Sequence, residues 1–184
     1  MDEYSDRELY ECLYQGGKTA ERAFGELYAR YSSRVYAYCR RFLGNREEAE
    51  DVFQETFIRF HQSASKERDM TNVPGFLLKI ARNLCVTIKK NVVHNVTIED
   101  YMAVNSDNSV DKNEMLDLIK YAMELLPDNY REFFVLREYN GLSYKEIADL
   151  TGESMTSVKV KIHRAKQKIR EILAPVLAEM TKYE

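Results

Sequence analysis

Between Met155 and Arg170 the chain carries Lys159, Lys161, Arg164, Lys166, Lys168 and Arg170 with no acid among them, although its formal net charge is -3. Cations gathered this way serve to neutralise phosphates. The other reactive side chains do not assemble. His61, His94 and His163 are isolated, Cys12, Cys39 and Cys85 are far apart with no Cys-x-x-Cys, and no Gly-rich phosphate loop occurs. The carboxylates of residues 47–55 crowd a helix start, where they should titrate normally and make a poor acid/base pair. No catalytic residue, metal-ligand set or cofactor is expected.

The cationic run needs a scaffold, and residues 141–170 supply one. Ser143 followed three residues later by Glu146 is a capping box that starts a helix. Tyr144, Ile147, Ala148 and Leu150 form its apolar face. Gly152 suits a sharp turn that needs positive φ, and Ser154 caps a second helix. There Met155, Val158, Ile162, Ala165, Ile169 and Ile172 fall at helical spacing and are expected to face inward. Ser157, Lys159, Lys161, His163, Arg164, Lys166, Lys168 and Arg170 take the opposite face. A helix-turn-helix whose second helix is basic outside, with short polar residues near its start, fits a DNA major groove. The plain alternative is a helical hairpin with a solvated cationic face.

Upstream, residues 1–23 read as a short helix around Leu9, Cys12 and Leu13, broken at Gly16-Gly17. A long helix follows, with a stripe of Phe24, Leu27, Tyr28, Tyr31, Val35, Tyr38, Cys39 and Phe42 and a back holding Arg30, Arg34, Arg40 and Arg41, which reads as a solvated face. Next, Ala49, Val52, Phe53, Thr56, Phe57 and Phe60 face inward while Glu47, Glu48, Glu50, Asp51, Gln54 and Glu55 crowd the outside. The acids suit the helix dipole, and equally an acidic docking face for a basic protein. Residues 62–73 form a polar loop ended by Val73-Pro74-Gly75. In the helix after it no acid appears from Phe76 to Ile98, and Lys79, Arg82, Lys89 and Lys90 make a second positive patch with Asn83 beside it. That patch suits backbone charge and exposed bases.

Periodicity lapses over residues 91–113, an interdomain linker by its Asn, Asp and Ser content. Helices resume with Met115, Leu118, Ile119, Ala122, Leu125 and Leu126 on one face, then around Phe133, Phe134 and Leu136, and residues 173–184 are expected to fray. A composition of 45% hydrophobic and 31% charged residues suits a globular chain, and seven Gly and three Pro with no alternating runs point to helices. The expected fold is all-α: two small helical domains, residues 1–90 and 114–184, joined by a flexible linker at 91–113, the second being a four-helix domain that contains the helix-turn-helix. With no apolar signal core, no membrane-length run and unpaired cysteines, the chain reads as cytosolic, with no direct membrane insertion.

Three segments together resemble the extracytoplasmic-function (group IV) sigma factors of bacterial RNA polymerase. AEDVFQETFIRFHQ at residues 49–62 resembles region 2.2, GFLLKIARNL at 75–84 regions 2.3 and 2.4, and residues 126–170 region 4. The resemblance implies a promoter-specificity subunit whose partners are the polymerase core (β′ clamp and β flap), promoter DNA and an anti-sigma factor. Core binding would fall on Asp51, Gln54, Glu55 and Phe57. Contacts to the -10 element would fall on the loop residues Lys66, Arg68, Met70 and Thr71 and on Lys79, Arg82 and Asn83. Contacts to the -35 element would fall on Ser154, Ser157, Lys159, Val160, His163 and Arg164. The chain departs from the family pattern at Phe76, usually Trp, at Thr87, often Asp, at Thr156, frequently Gly, and at Glu153, commonly apolar. Two other readings of the residues remain open: a helix-turn-helix regulator acting without polymerase, and a protein-interaction module.

Overall fold

The computed structural model describes residues 3–63, 70–91 and 114–180, and among them there are helices and no strands. The first four helices are α1 (Asp6–Leu13), α2 (Gly17–Leu43), α3 (Arg46–Ser63) and α4 (Val73–Asn91). They pack around Leu9, Tyr10, Leu27, Tyr38, Phe42, Phe57, Phe60, Leu77 and Ala81, all buried. Ser5 and Glu8 close a capping box on α1. The α4 start lies earlier than the sequence suggested, because Val73-Pro74-Gly75 is its first turn rather than the end of the loop. Asn72 caps that turn, its Oδ1 accepting from the Gly75 N–H at 2.9 Å, and Pro74 is tolerated where no intrahelical donor is required.

The second domain comprises α5 (Glu114–Glu124), α6 (Asp128–Phe134) continuing into one π-helical turn at Val135–Tyr139, α7 (Tyr144–Thr151) and α8 (Met155–Met180). Its buried side chains include Ala122, Leu126, Phe133, Leu136, Ile147, Val158, Ile162 and Ala165, and they form one hydrophobic cluster with the buried residues of the first four helices. Arg131 is buried and ties the end of α5 down, its guanidinium donating to the carbonyls of Met123 (2.8 Å), Leu126 (3.0 Å) and Glu124. A helix end leaves such carbonyls without partners.

Four expectations are corrected. Residues 173–180 do not fray but extend α8, which accommodates Pro175. Leu125 is exposed, beyond the end of α5. Met155, expected inside, is 46% exposed, because the first turn of α8 has no neighbour on that side. The arginine back of α2 is not simply solvated: Arg30 pairs with Asp6 at 3.0 Å and Glu26 at 2.9 Å, Arg34 donates to the Asn140 carbonyl, and Arg41 lies 4.2 Å over the Tyr139 ring. Arg34 and Arg41 thereby bring the second domain against the first.

Candidate nucleic-acid interface

The helix-turn-helix is built as its sequence specifies. The Ser143 hydroxyl accepts from the Glu146 N–H, and the Glu146 carboxylate accepts from the Ser143 N–H at 2.8 Å. The Ser143 hydroxyl and, less strongly, the Ser143 N–H hold the Glu146 carboxyl below its ordinary range. Gly152 ends α7 at φ 75°, ψ 15°, left-handed backbone that costs an ordinary residue about 1–2 kcal/mol. Ser154 Oγ then accepts from the Ser157 N–H at 3.2 Å to start α8. Val158, Ile162 and Ala165 anchor α8 to the core.

The outer face of α8 presents Ser154, Lys159, Val160, His163 and Arg164, all exposed, with Val160 at 43%. Lys159 Nζ stands 5.7 Å over the Tyr144 ring. Ser157 is half-buried and donates its hydroxyl to Glu153 at 2.7 Å. Lys161 does not join the outer face. Its ammonium is paired with Glu153 and lies 4.5 Å over the Phe133 ring, so the acid at a commonly apolar position has an assignment: it holds the turn to the helix. Lys166 pairs with Glu138 at 2.8 Å. The exposed cations of the run are therefore Lys159, Arg164, Lys168 and Arg170.

On α4, Lys79 and Asn83 are exposed, whereas Arg82 is half-buried in an ion pair with Glu132 of α6. Thr71 is exposed and Met70 is buried at the edge of the first core. Lys66 and Arg68 lie outside the described residues.

On α3, Asp51 and Gln54 are exposed, and Glu55 is paired with Arg59 at 2.6 Å. Phe57 is not on this surface. It is 4% exposed and packs among Phe24, Tyr28 and Phe53 at centroid distances of 6.3, 4.8 and 5.3 Å. The neighbouring Ile58, which the sequence reading placed on neither face, is 50% exposed. Positions 51, 54, 55 and 58 share one helix face, so an apolar side chain sits beside Asp51, Gln54 and Glu55. An exposed Ile at the i+7 position from Asp51 was the available signal.

Comparison with known proteins finds two family matches along the chain. Residues 27–90 match the family described as Sigma-70 region 2, and residues 116–169 match Sigma-70, region 4. RNA polymerase sigma factor CarQ of Myxococcus xanthus is 30% identical over 168 residues, 89% of this chain and 96% of that protein. The ECF RNA polymerase sigma factor SigE of Mycolicibacterium smegmatis is 31% identical over 167 residues, 86% of this chain and 65% of SigE, so the chain spans about two thirds of that relative. Two solved structures share the fold. Sigma factor RpoE of Bartonella quintana, in complex with the anti-sigma factor NepR, superposes with TM-score 0.65 at 20% identity, covering 82% of this chain and 96% of that one. CnrH, in complex with the cytosolic domain of CnrY, superposes with TM-score 0.69 at 23% identity, covering 92% and 97%.

Proposed function

Since the chain belongs to the extracytoplasmic-function sigma factors of RNA polymerase, which direct core polymerase to specific promoters, we propose how its residues divide that work. The α3 face of Asp51, Gln54, Glu55 and Ile58 docks on the β′ clamp. Its acids supply charge complementarity, and Ile58 supplies apolar area that docking removes from water. Phe57 shapes this face from behind as a core residue.

The α4 face, with Lys79, Arg82 and Asn83 and the preceding loop residues Lys66, Arg68, Met70 and Thr71, engages the -10 element. Unstacking a base costs a few kcal/mol, which capture of the flipped base in a protein pocket offsets. The α8 face reads the -35 element: Lys159 and Arg164 neutralise phosphates or grip base edges, Ser154, Ser157 and His163 offer short polar contacts, and Val160 gives an apolar touch. The β flap is the expected support for the second domain. An anti-sigma factor is the expected regulator, in line with the complexes in which RpoE and CnrH were solved.

The observation that carries this reading is the order of the two matched regions in one chain, with exposed polar side chains on α3, α4 and α8. Run-off transcription with purified core polymerase on genomic promoters, with and without the chain, tests it. New transcripts starting downstream of paired -35 and -10 elements are expected. Sequence-specific duplex binding without polymerase and no new transcript would point to a conventional regulator instead.

A further inference from the structure

The outward stripe at the start of α8 carries no Lys or Arg. From Thr156, positions 160 and 163 follow at i+4 and i+7, so Thr156, Val160 and His163 lie one above another on the helix. All three are exposed, Val160 at 43%. They stand opposite Val158, Ile162, Ala165 and Ile169, which are buried. At 3.6 residues per turn, Lys159 falls about 70° to one side of the stripe and Arg164 about 70° to the other. The next outward residue, Gln167, is bonded to Glu171 at 2.9 Å, and the neighbouring Ser157 and Lys161 are taken up by Glu153.

A helix of about 10–12 Å diameter fills a major groove about 12 Å wide. Cations on both flanks then face the groove walls, where the phosphates lie, and the stripe between them meets the groove floor. Two of its three residues bring methyl groups to that floor: Val160 has two, and Thr156 has one beside its hydroxyl. Thr156 stands where the family frequently has Gly, so its methyl occupies a place that is often empty. The floor holds one apolar group to match them, the C5-methyl of thymine. The other base edges there are donors and acceptors that an aliphatic side chain would dehydrate and leave unpaired. Thr156 and Val160 are about 6 Å apart along the helix, close to the span of two base-pair steps of about 3.4 Å.

We infer that Thr156 and Val160 determine promoter specificity by reading thymine C5-methyl groups at one or two neighbouring base pairs of the -35 element, with Lys159 and Arg164 toward the strands on either side. The inference rests on α8 being the -35 reader, as assigned above. Burying one methyl group is worth about a four-fold gain in affinity.

The test uses holoenzyme assembled from core polymerase and the full chain, on a promoter found by run-off transcription. Each thymine of the -35 element, on either strand, is replaced in turn by deoxyuridine, which keeps every hydrogen-bonding group and removes one methyl. Run-off transcript at limiting holoenzyme should fall about four-fold at one or two of these positions, and should not change for a replacement in the spacer. Val160→Ala removes two methyls, and Thr156→Ser removes one while keeping the hydroxyl. In at least one of these variants the ratio of thymine to deoxyuridine template should collapse to about one at a sensitive position, the signature of a lost pairwise contact. Because that ratio is taken within a single variant, any loss of folded protein cancels from it. A wild-type response within about two-fold at every -35 thymine overturns the inference, as does a ratio that survives unchanged in both variants. Absence of any chain-dependent transcript overturns the assigned function and this inference with it, whereas a chain-dependent transcript indifferent to the methyl groups overturns this inference alone.

Discussion

Truncating Ile58 to alanine should weaken association with core polymerase while leaving the fold intact, and truncating its neighbour Phe57 should do the opposite. Ile58 is 50% exposed in the free chain. Full burial of such a side chain stabilises by about 1.5–3 kcal/mol, so docking that hides the remaining half is worth about 1 kcal/mol. That corresponds to about a five-fold rise in Kd. The folded chain loses little, because surface substitutions away from packed features stay within about 0.5 kcal/mol. Phe57, at 4% exposure among Phe24, Tyr28 and Phe53, should cost about 3–5 kcal/mol of stability on conversion to Ala. The assay is a titration of labelled chain against core polymerase, paired with urea denaturation of each variant alone. An Ile58→Ala Kd within two-fold of wild type refutes the docking face. A Phe57→Ala variant of unchanged stability that no longer binds polymerase refutes its assignment to the core.

Three further outcomes are expected. Lys159→Ala and Arg164→Ala should each weaken -35-dependent initiation by about 1–3 kcal/mol if the side chain reads a base edge, with polymerase affinity unchanged, as measured by transcription from templates with intact and scrambled -35 elements. Gly152→Ala meets open space around the added carbon but keeps φ at +75°, so thermal unfolding should show a loss of about 1–2 kcal/mol from backbone strain alone. Ser143→Ala should remove about 1 kcal/mol of helix capping and also change the acid limb of the unfolding profile. The Glu146 pKa is lowered in the folded chain, so its contribution is complete above the ordinary carboxylate value and is lost as pH falls through the lowered one. The variant should lack the hydroxyl's share of that acid loss and keep the share of the residue 143 N–H, as followed by circular dichroism between neutral pH and pH about 3.

Features written locally were legible in the sequence. The Ser143–Glu146 box, the left-handed Gly152 and the Ser154 cap each depend on a few neighbouring residues, and each is found where the pattern put it. Features that depend on what lies across the fold were not. The arginine back of α2 and a solvated face have the same periodicity, so nothing in the spacing separates a solvated Arg34 from one that donates to Asn140. Phe57 and Ile58 are adjacent apolar residues, and only the direction of the helix face in the packed domain makes one core and the other surface. Lys161 reads as one more outward cation until Glu153, eight positions earlier, is seen to reach it across the turn. Met155 failed for the reverse reason: it has the right spacing, but the first turn of α8 projects past the neighbours that would bury it.

The pairing of Lys161 and Lys166 bears on how the recognition helix can work. With those two held by Glu153 and Glu138, Lys159, Arg164, Lys168 and Arg170 are left to displace counterions. Four neutralised phosphates give a slope of log K against log salt of about -3.6 at most. Between 50 and 200 mM salt that is a loss of about 150-fold, from a modest starting affinity in a chain of net charge -3. A helix so limited cannot hold a promoter alone at physiological salt, although it can select one when tethered. On the proposed division of work, polymerase bound through the α3 face would supply the tether and turn the weak contact into an intramolecular step at high effective concentration. A measured slope steeper than about -5 for the free chain on duplex DNA would mean that cations beyond α8 take part.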